Sequence, residues 1–255
     1  MRSGKNFIGG GRRPWDKRRG FPVSPLRRSR SSVFGCAVVD ELSLLKNGLR
    51  DLELDLPSEV CERLLWLGKE LLRWNEKVNL TSIRSLEEVI VKHLLDSLSV
   101  FPLLQSGERL LDVGSGGGFP GLPLAIVDPV REVVTVDAVG KKINFQRHVV
   151  RQLGLDLCVS LHLRVEELPR WSGFGDGFDV VISRAFASIA DFALLARPCL
   201  TEGGRLIAMK GPEGERELRG QETRLRDLGL EFDVMHRFSL PLGAGERQLL
   251  LFRRI

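Results

Sequence analysis

Residues Arg109 to Gly121, R-L-L-D-V-G-S-G-G-G-F-P-G, place an acid at the end of an apolar run and four glycines close behind it. Glycine has no Cβ, so such a turn lets the backbone approach a ligand closely, and a turn that opens a helix offers unpaired N–H groups. The chemistry this permits is the holding of a nucleotide-like cofactor between a strand end and a helix start. A bare connection without a ligand is the plain alternative, but four glycines and a proline are a poor way merely to join a strand to a helix.

Two templates compete for the loop. Gly116, Gly118 and Gly121 satisfy the dinucleotide pattern G-x-G-x-x-G, and Asp137 lies about 20 residues further on, where a ribose-binding acid belongs. The other template is an acid followed by alternate glycines, Asp112, Gly114, Gly116 and Gly118, which resembles the loop of S-adenosylmethionine-dependent methyltransferases. Pro120 removes an N–H donor where a pyrophosphate would bind, although proline is tolerated in a first helical turn. S-adenosylmethionine has no phosphate and needs only close backbone approach, an acid for the ribose and an apolar slot for adenine. The second template fits better; a nicotinamide-dependent oxidoreductase on a similar sheet is the rival.

The elements that must position this loop follow from periodicity. Asp40 to Leu52 reads as a helix with Leu42, Leu45 and Leu49 on one face, and Ser58, after Pro57, reads as the N-cap of a stronger helix through Trp74. Ser85 and Glu88 read as a capping box opening a third helix that continues towards Val100. Residues 40–104 are thus expected to form a helical cap. Beyond it strands at 109–113, 132–137, 157–162, 178–183 and 204–209 alternate with helices at 119–127, 140–153, 187–200 and 213–228. Two final strands, 231–239 and 247–253, follow each other directly. Alternation predicts an α/β fold, a Rossmann-like and mostly parallel sheet over 105–255 whose last strand is antiparallel. Ligands of such sheets lie outside the carboxyl ends of the strands.

Hydrophobic residues make up 43% of the 255, ordinary for a globular chain, and no apolar run reaches membrane-spanning length. Cys36, Cys61, Cys158 and Cys199 match no zinc or redox spacing, and the four histidines form no paired-ligand pattern, so no metal is expected and a reduced cytoplasm suits the thiols. The net charge of +5 is unevenly spread. Residues 1–39 hold ten Lys or Arg and one acid, while the other 216 hold 28 basic and 32 acidic residues, a balance of −4. The basic extension, rich in Arg, Gly, Ser and Pro, reads as disordered. It could be a nucleic-acid-binding arm, a transit peptide, or the product of a start codon assigned too far upstream; the last reading is favoured, with translation beginning near Val38 or Val39.

Six blocks then carry a resemblance. They are R-W-N-E-K-V-N-L-T-S-I (73–83), K-H-L-L-D-S-L (92–98), D-V-G-S-G-G-G-F-P-G (112–121), R-V-E-E-L-P (164–169), V-I-S-R-A-F-A-S (181–188) and M-K-G (209–211). In order and spacing the chain resembles the bacterial 16S rRNA guanine-N7 methyltransferase G family, also called glucose-inhibited division protein B, over about residues 40–255. The resemblance implies methyl transfer from S-adenosylmethionine to a guanine of 16S rRNA, free or in the small ribosomal subunit, by a monomer in the cytoplasm. It further implies that Gly114 and Phe119 contact the cofactor, Val165 and Glu166 flank the adenine, and Arg184 closes the far side. Gly116 joins them from the loop pattern and Asp137 from the ribose argument, its alternative being an acid that caps the next turn. An arginine beside a sulfonium would repel it, so Arg184 is expected to face the cofactor's carboxylate or an RNA phosphate, or else to pair with an acid. Lys210 is either a phosphate or base contact or a solvated lysine. His93 and Asp96, at i and i+3, either pair or line the cofactor mouth. Trp74, Asn75, Asn79 and Thr81 read as structural. A ribosome-associated RNA-binding protein without activity is the second rival.

Overall fold

Asp40 opens the first helix by accepting the Leu42 N–H (3.3 Å) and the Ser43 hydroxyl (2.6 Å), so the first turn of α1 (Glu41–Asp51) is satisfied where the chain enters it. This computed structural model describes residues 40–255, apart from Ala185 and Ala187; the readings of the basic extension lie outside the described residues. α1 buries Leu44, Leu45 and Leu49 together. In α2 (Ser58–Val78) the cap position belongs to Pro57 and not to Ser58, whose hydroxyl instead accepts from Lys46. Proline has no side-chain acceptor, so the helix starts without a side-chain cap.

The third helical segment departs from the expected regular helix. Ser85 does accept the Glu88 N–H (3.2 Å), but Glu88 turns outward to Lys92, so the capping box is only half formed. After α3 (Leu86–Val89) the chain widens into a π-helix, Ile90–Leu95, before the short α4 (Asp96–Leu98). A π-turn of this sort is over-represented at functional sites.

Seven strands follow: β1 (Leu110–Val113), β2 (Val133–Asp137), β3 (Cys158–His162), β4 (Phe178–Ser183), β5 (Leu200–Lys210), β6 (Leu230–Ser239) and β7 (Glu246–Arg254). They form one sheet in the order β3-β2-β1-β4-β5-β7-β6. The first five are parallel, and β7 is antiparallel to both neighbours, with Lys210 opposite Gln248. α5 (Gly121–Val127), α6 (Gly140–Leu153) and α7 (Ile189–Ala196) link the parallel strands. β1 and β2 are buried along their whole length, as expected of strands covered on both faces. The single helix expected over 213–228 is two, α8 (Gly214–Leu218) and α9 (Glu222–Asp227). Gly220 between them has φ +83, a left-handed value that ends a helix.

Between cap and sheet, Glu70 of α2 accepts from Trp74 Nε1 (3.0 Å) and bonds His148 of α6 (2.7 Å), and Trp66 and Trp74 lie against the same imidazole. The described residues belong to one compact unit.

Candidate active site

The glycine loop leaves β1 with Gly114 at φ +67 and Gly116 at φ +58. Its shape is imposed from beneath by buried polar groups. The Gly114 and Ser115 N–H groups both donate to the Val136 carbonyl of β2. Gln146 of α6, fully buried, donates to the Ser115 hydroxyl (2.8 Å) and the Gly116 carbonyl (2.7 Å), and its own carbonyl accepts from Thr135. Asp137 accepts the Gly116 N–H (2.9 Å) with one oxygen and the Val139 N–H (2.8 Å) with the other. It therefore braces the loop as well as capping the next turn.

Asp112 is completely buried; one oxygen accepts the Gly121 N–H (2.8 Å) and the other finds no partner among the described residues. Burial pushes its carboxyl up to about 7, against the Gly121 hydrogen bond and the charge of Arg184, both of which pull it down.

In front of the loop lies a cavity of about 220 Å³, lined by Leu71, Leu80, Thr81, His93, Gly114, Ser115, Gly116, Gly117, Phe119 and Arg184. A Cβ built on Gly116 would meet nothing within 4 Å. The side-chain space at this position has been left open. On the cap side, Asn75 donates to the Thr81 (2.9 Å) and Ile83 (3.3 Å) carbonyls and accepts the Leu80 and Thr81 N–H groups, which holds residues 80–83 at the cavity. Asn79, at φ +48, is the left-handed C-cap of α2.

His93 and Arg184 form the far wall. A guanidinium only donates, so the 2.9 Å contact from Arg184 makes His93 Nδ1 the acceptor, and Nε2 carries the proton shared with Thr81 Oγ1 at 2.9 Å. Burial, then the charges of Arg184 and Lys92, lower the imidazole to about 3, so it is neutral. Its ring stacks on Phe119 with centroids 4.7 Å apart. Arg184 also donates to the Lys92 carbonyl (2.9 Å) and to Asp96 (3.1 Å). Of the two readings of His93 and Asp96, the pairing is not made: His93 lines the cavity, and both converge on Arg184. Asp96 binds a second guanidinium, Arg247 of β7, at 3.1 Å.

Five of the nine residues singled out from the sequence thus line this cavity: His93, Gly114, Gly116, Phe119 and Arg184. Lys210 lines a second cavity together with Arg184, and binds the Phe186 carbonyl and Glu217. Asp137, Val165 and Glu166 line neither. Val165 packs into the core at the start of a 3-10 turn and Glu166 is exposed. Sequence reasoning did not find Gln146, Lys92 or Arg247. A glutamine on the buried face of α6, otherwise apolar, was a signal for the first; nothing local marks the other two. Among the described residues there is no cluster of three His, Cys, Asp or Glu placed to hold a metal, and no helix long and apolar enough to cross a membrane.

A sheet in this order, with a glycine-rich first turn and a cavity at the carboxyl ends of β1 and β4, is a Rossmann-like fold with its ligand site in the usual place. With the family match that follows, it is that of an S-adenosylmethionine-dependent methyltransferase. The model of the rRNA small subunit methyltransferase G family matches residues 60–249, and the chain belongs to that family. It is 45% identical to the Ribosomal RNA small subunit methyltransferase G of Syntrophotalea carbinolica over 82% of this chain and 96% of that one. With the protein of the same name from Geobacter metallireducens it shares 43% identity over 83% and 95% of the two chains. Among solved structures, a Pyrococcus horikoshii protein described as a transferase has a like fold, with 13% identity, a TM-score of 0.50 and coverage of 62% of this chain and 61% of that one.

Proposed function

We propose that this protein transfers the methyl group of S-adenosylmethionine to N7 of a guanine in 16S rRNA, acting as a cytoplasmic monomer on the RNA or the small ribosomal subunit. The observation that carries the reading is the cavity at the glycine loop, whose open space before Gly116 and apolar flanks of Leu71, Leu80 and Phe119 suit a nucleoside. Gly114, Gly116, Phe119 and Arg184 would hold the cofactor, its nucleoside reaching past the cavity towards Asp137, Val165 and Glu166. Lys210 would face the RNA from the second cavity, and His93 would stand at the wall between cofactor and substrate. Residues 40–104 act as a cap over the methyltransferase body of 105–255.

When bound, S-adenosylmethionine supplies an electrophilic methyl group on a positively charged sulfur. Guanine N7 carries a free lone pair and no hydrogen, so no side chain has to remove a proton. What the chain's own residues contribute is alignment, and enforced proximity is worth roughly 7–11 kcal/mol in such reactions. The loop is held for this by Gln146, Asp137 and Asp112. His93 adds no charge beside a sulfonium because it is neutral, and Arg184 turns its guanidinium onto the Asp96 carboxylate, which it shares with Arg247.

The test is methylation of 16S rRNA and of small subunits with labelled S-adenosylmethionine, with the product mapped by chain cleavage at 7-methylguanosine. One modified guanine is expected, a rate nearly independent of pH across neutrality, and no transfer to RNA carrying 7-deazaguanine. Transfer to the deaza RNA, or RNA binding with no transfer at all, would overturn the proposal.

A further inference from the structure

We propose that the recess beside the cofactor cavity is a binding site for an RNA backbone phosphate, gripped by Lys92 and Arg247. This rests on the reading of the chain as an rRNA methyltransferase. The recess, about 380 Å³, is lined by Lys92, Asp96, Arg184, Met209, Lys210, Gly211 and Arg247. No residue of the glycine loop borders it. Its lining comes from the π-turn of the cap, from the ends of β4 and β5, and from the start of β7, which runs antiparallel and so begins where β5 ends.

Positive charge is gathered at the recess. Four cationic side chains surround one carboxylate, Asp96, which is 3% exposed and divides its oxygens between Arg184 and Arg247. One carboxylate against two guanidiniums leaves a positive charge uncompensated at this point. Arg247 spends Nε on Asp96 and one terminal nitrogen on the Glu246 carbonyl; the other terminal nitrogen bonds no described residue. Among the described residues Lys92 has only Glu88 as an acidic partner, in an i,i+4 pair with side chains 40% and 46% exposed. Pairs so exposed are worth little, so an incoming anion displaces Glu88 at small cost. Lys210, held by Glu217 and the Phe186 carbonyl, adds field and not a further grip.

A phosphate diester has two non-bridging oxygens that share its charge, so a guanidinium and an ammonium placed together can each take one. The need for such a point is general to this protein. Residues 40–255 carry a net charge of −4, so attraction for a polyanion has to be concentrated locally. The recess also shares its Arg184 wall with the cofactor cavity. A nucleotide whose base is turned out towards the cofactor keeps its phosphate at the rim of the active site, and the recess, divided from the cofactor cavity by one side chain, lies at that rim.

The test compares Lys92→Ala, Lys92→Glu, Arg247→Gln and the Lys92→Ala/Arg247→Gln double variant with the wild type. A 16S rRNA transcript is bound across a salt series, and S-adenosylmethionine affinity is measured by calorimetry. The double variant should bind RNA about tenfold more weakly, with the salt slope reduced by roughly 0.7–0.9 per lost contact. Cofactor affinity should not change, and in turnover KM for RNA should rise with kcat kept. Unchanged RNA affinity and slope would overturn the proposal. So would a loss of cofactor affinity, which would assign the recess to the carboxylate of S-adenosylmethionine, or inorganic phosphate binding that the variants lose while RNA binding stays intact. Should Arg247→Gln fail to fold, Lys92→Ala and Lys92→Glu decide alone, since that side chain is 40% exposed. Absence of methyl transfer by the wild type would count against the enzymatic reading, while the RNA-binding arms still decide the phosphate site.

Discussion

Asp112, buried under the loop, and His93, on the cavity wall, have opposite responses to acid. Asp112, raised to about 7 from 3.8, keeps its proton in the fold where the unfolded chain has lost it. Its contribution to stability is complete below the unfolded value and is lost as pH rises through about 7. His93, lowered from 6.5 to about 3, must be neutral in the fold, so its contribution is present above 6.5 and is lost as pH falls towards about 3. Between about pH 4 and 6.5 the two oppose each other. Asp112→Asn removes the first and leaves the second, so the variant should lose stability more steeply than the wild type on acidification across this window. Urea unfolding at both ends of the window measures it, and equal slopes would refute the assignment. A second change at this scale is Gly116→Asp. At φ +58 an L-residue is strained by roughly 1–2 kcal/mol, and the new carboxylate projects into the open cavity. Cofactor binding should be abolished with the fold retained; calorimetric affinity equal to wild type would mean that the loop does not hold the cofactor.

At the scale of elements, the cavity depends on how the cap helices end. Asn75 makes four hydrogen bonds to residues 80–83, two of whose members, Leu80 and Thr81, line the cavity. Asn75→Ala leaves those buried groups unpaired and should cost about 2–4 kcal/mol. Cofactor affinity should fall with it, and a variant that melts earlier but binds as tightly would separate the loop from the site. The π-turn at Ile90–Leu95 has a similar role. Its wider winding brings the Lys92 carbonyl, the His93 ring and the Asp96 carboxylate round one guanidinium. The apolar repeat in this stretch reads as helix in either winding, which is why a regular helix was the expectation. Tertiary demand for Arg184 decides between them. The split of 213–228 was missed although Gly220 was its local signal, and the Ser58 cap was misplaced by one residue because the helix takes Pro57 as its N-cap with no side-chain hydrogen bond.

For the whole molecule, the sheet, the cap and both cavities are built within residues 40–255, which carry net charge −4 against +9 for residues 1–39. A chain beginning at Val39 should therefore keep its melting temperature and its affinity for S-adenosylmethionine. Calorimetry on the two lengths tests this; a drop of several degrees in the shorter one would show that the extension supports the fold.

The order of strands and helices, the glycine loop and its acid, and the family blocks were determined by the sequence by itself, because each is written in local terms: a period of 2 or 3.6, a turn that needs glycine, a spacing within one segment. The partners of Arg184 were decided only by tertiary structure. Asp96 lies 88 residues away from it and Arg247 lies 151 beyond Asp96, and neither separation carries any signal. Whether an arginine is a ligand or a strut depends on distance and burial. Those arise when β7 inserts antiparallel beside β5 and the cap closes over the strand ends, and no residue states them in advance.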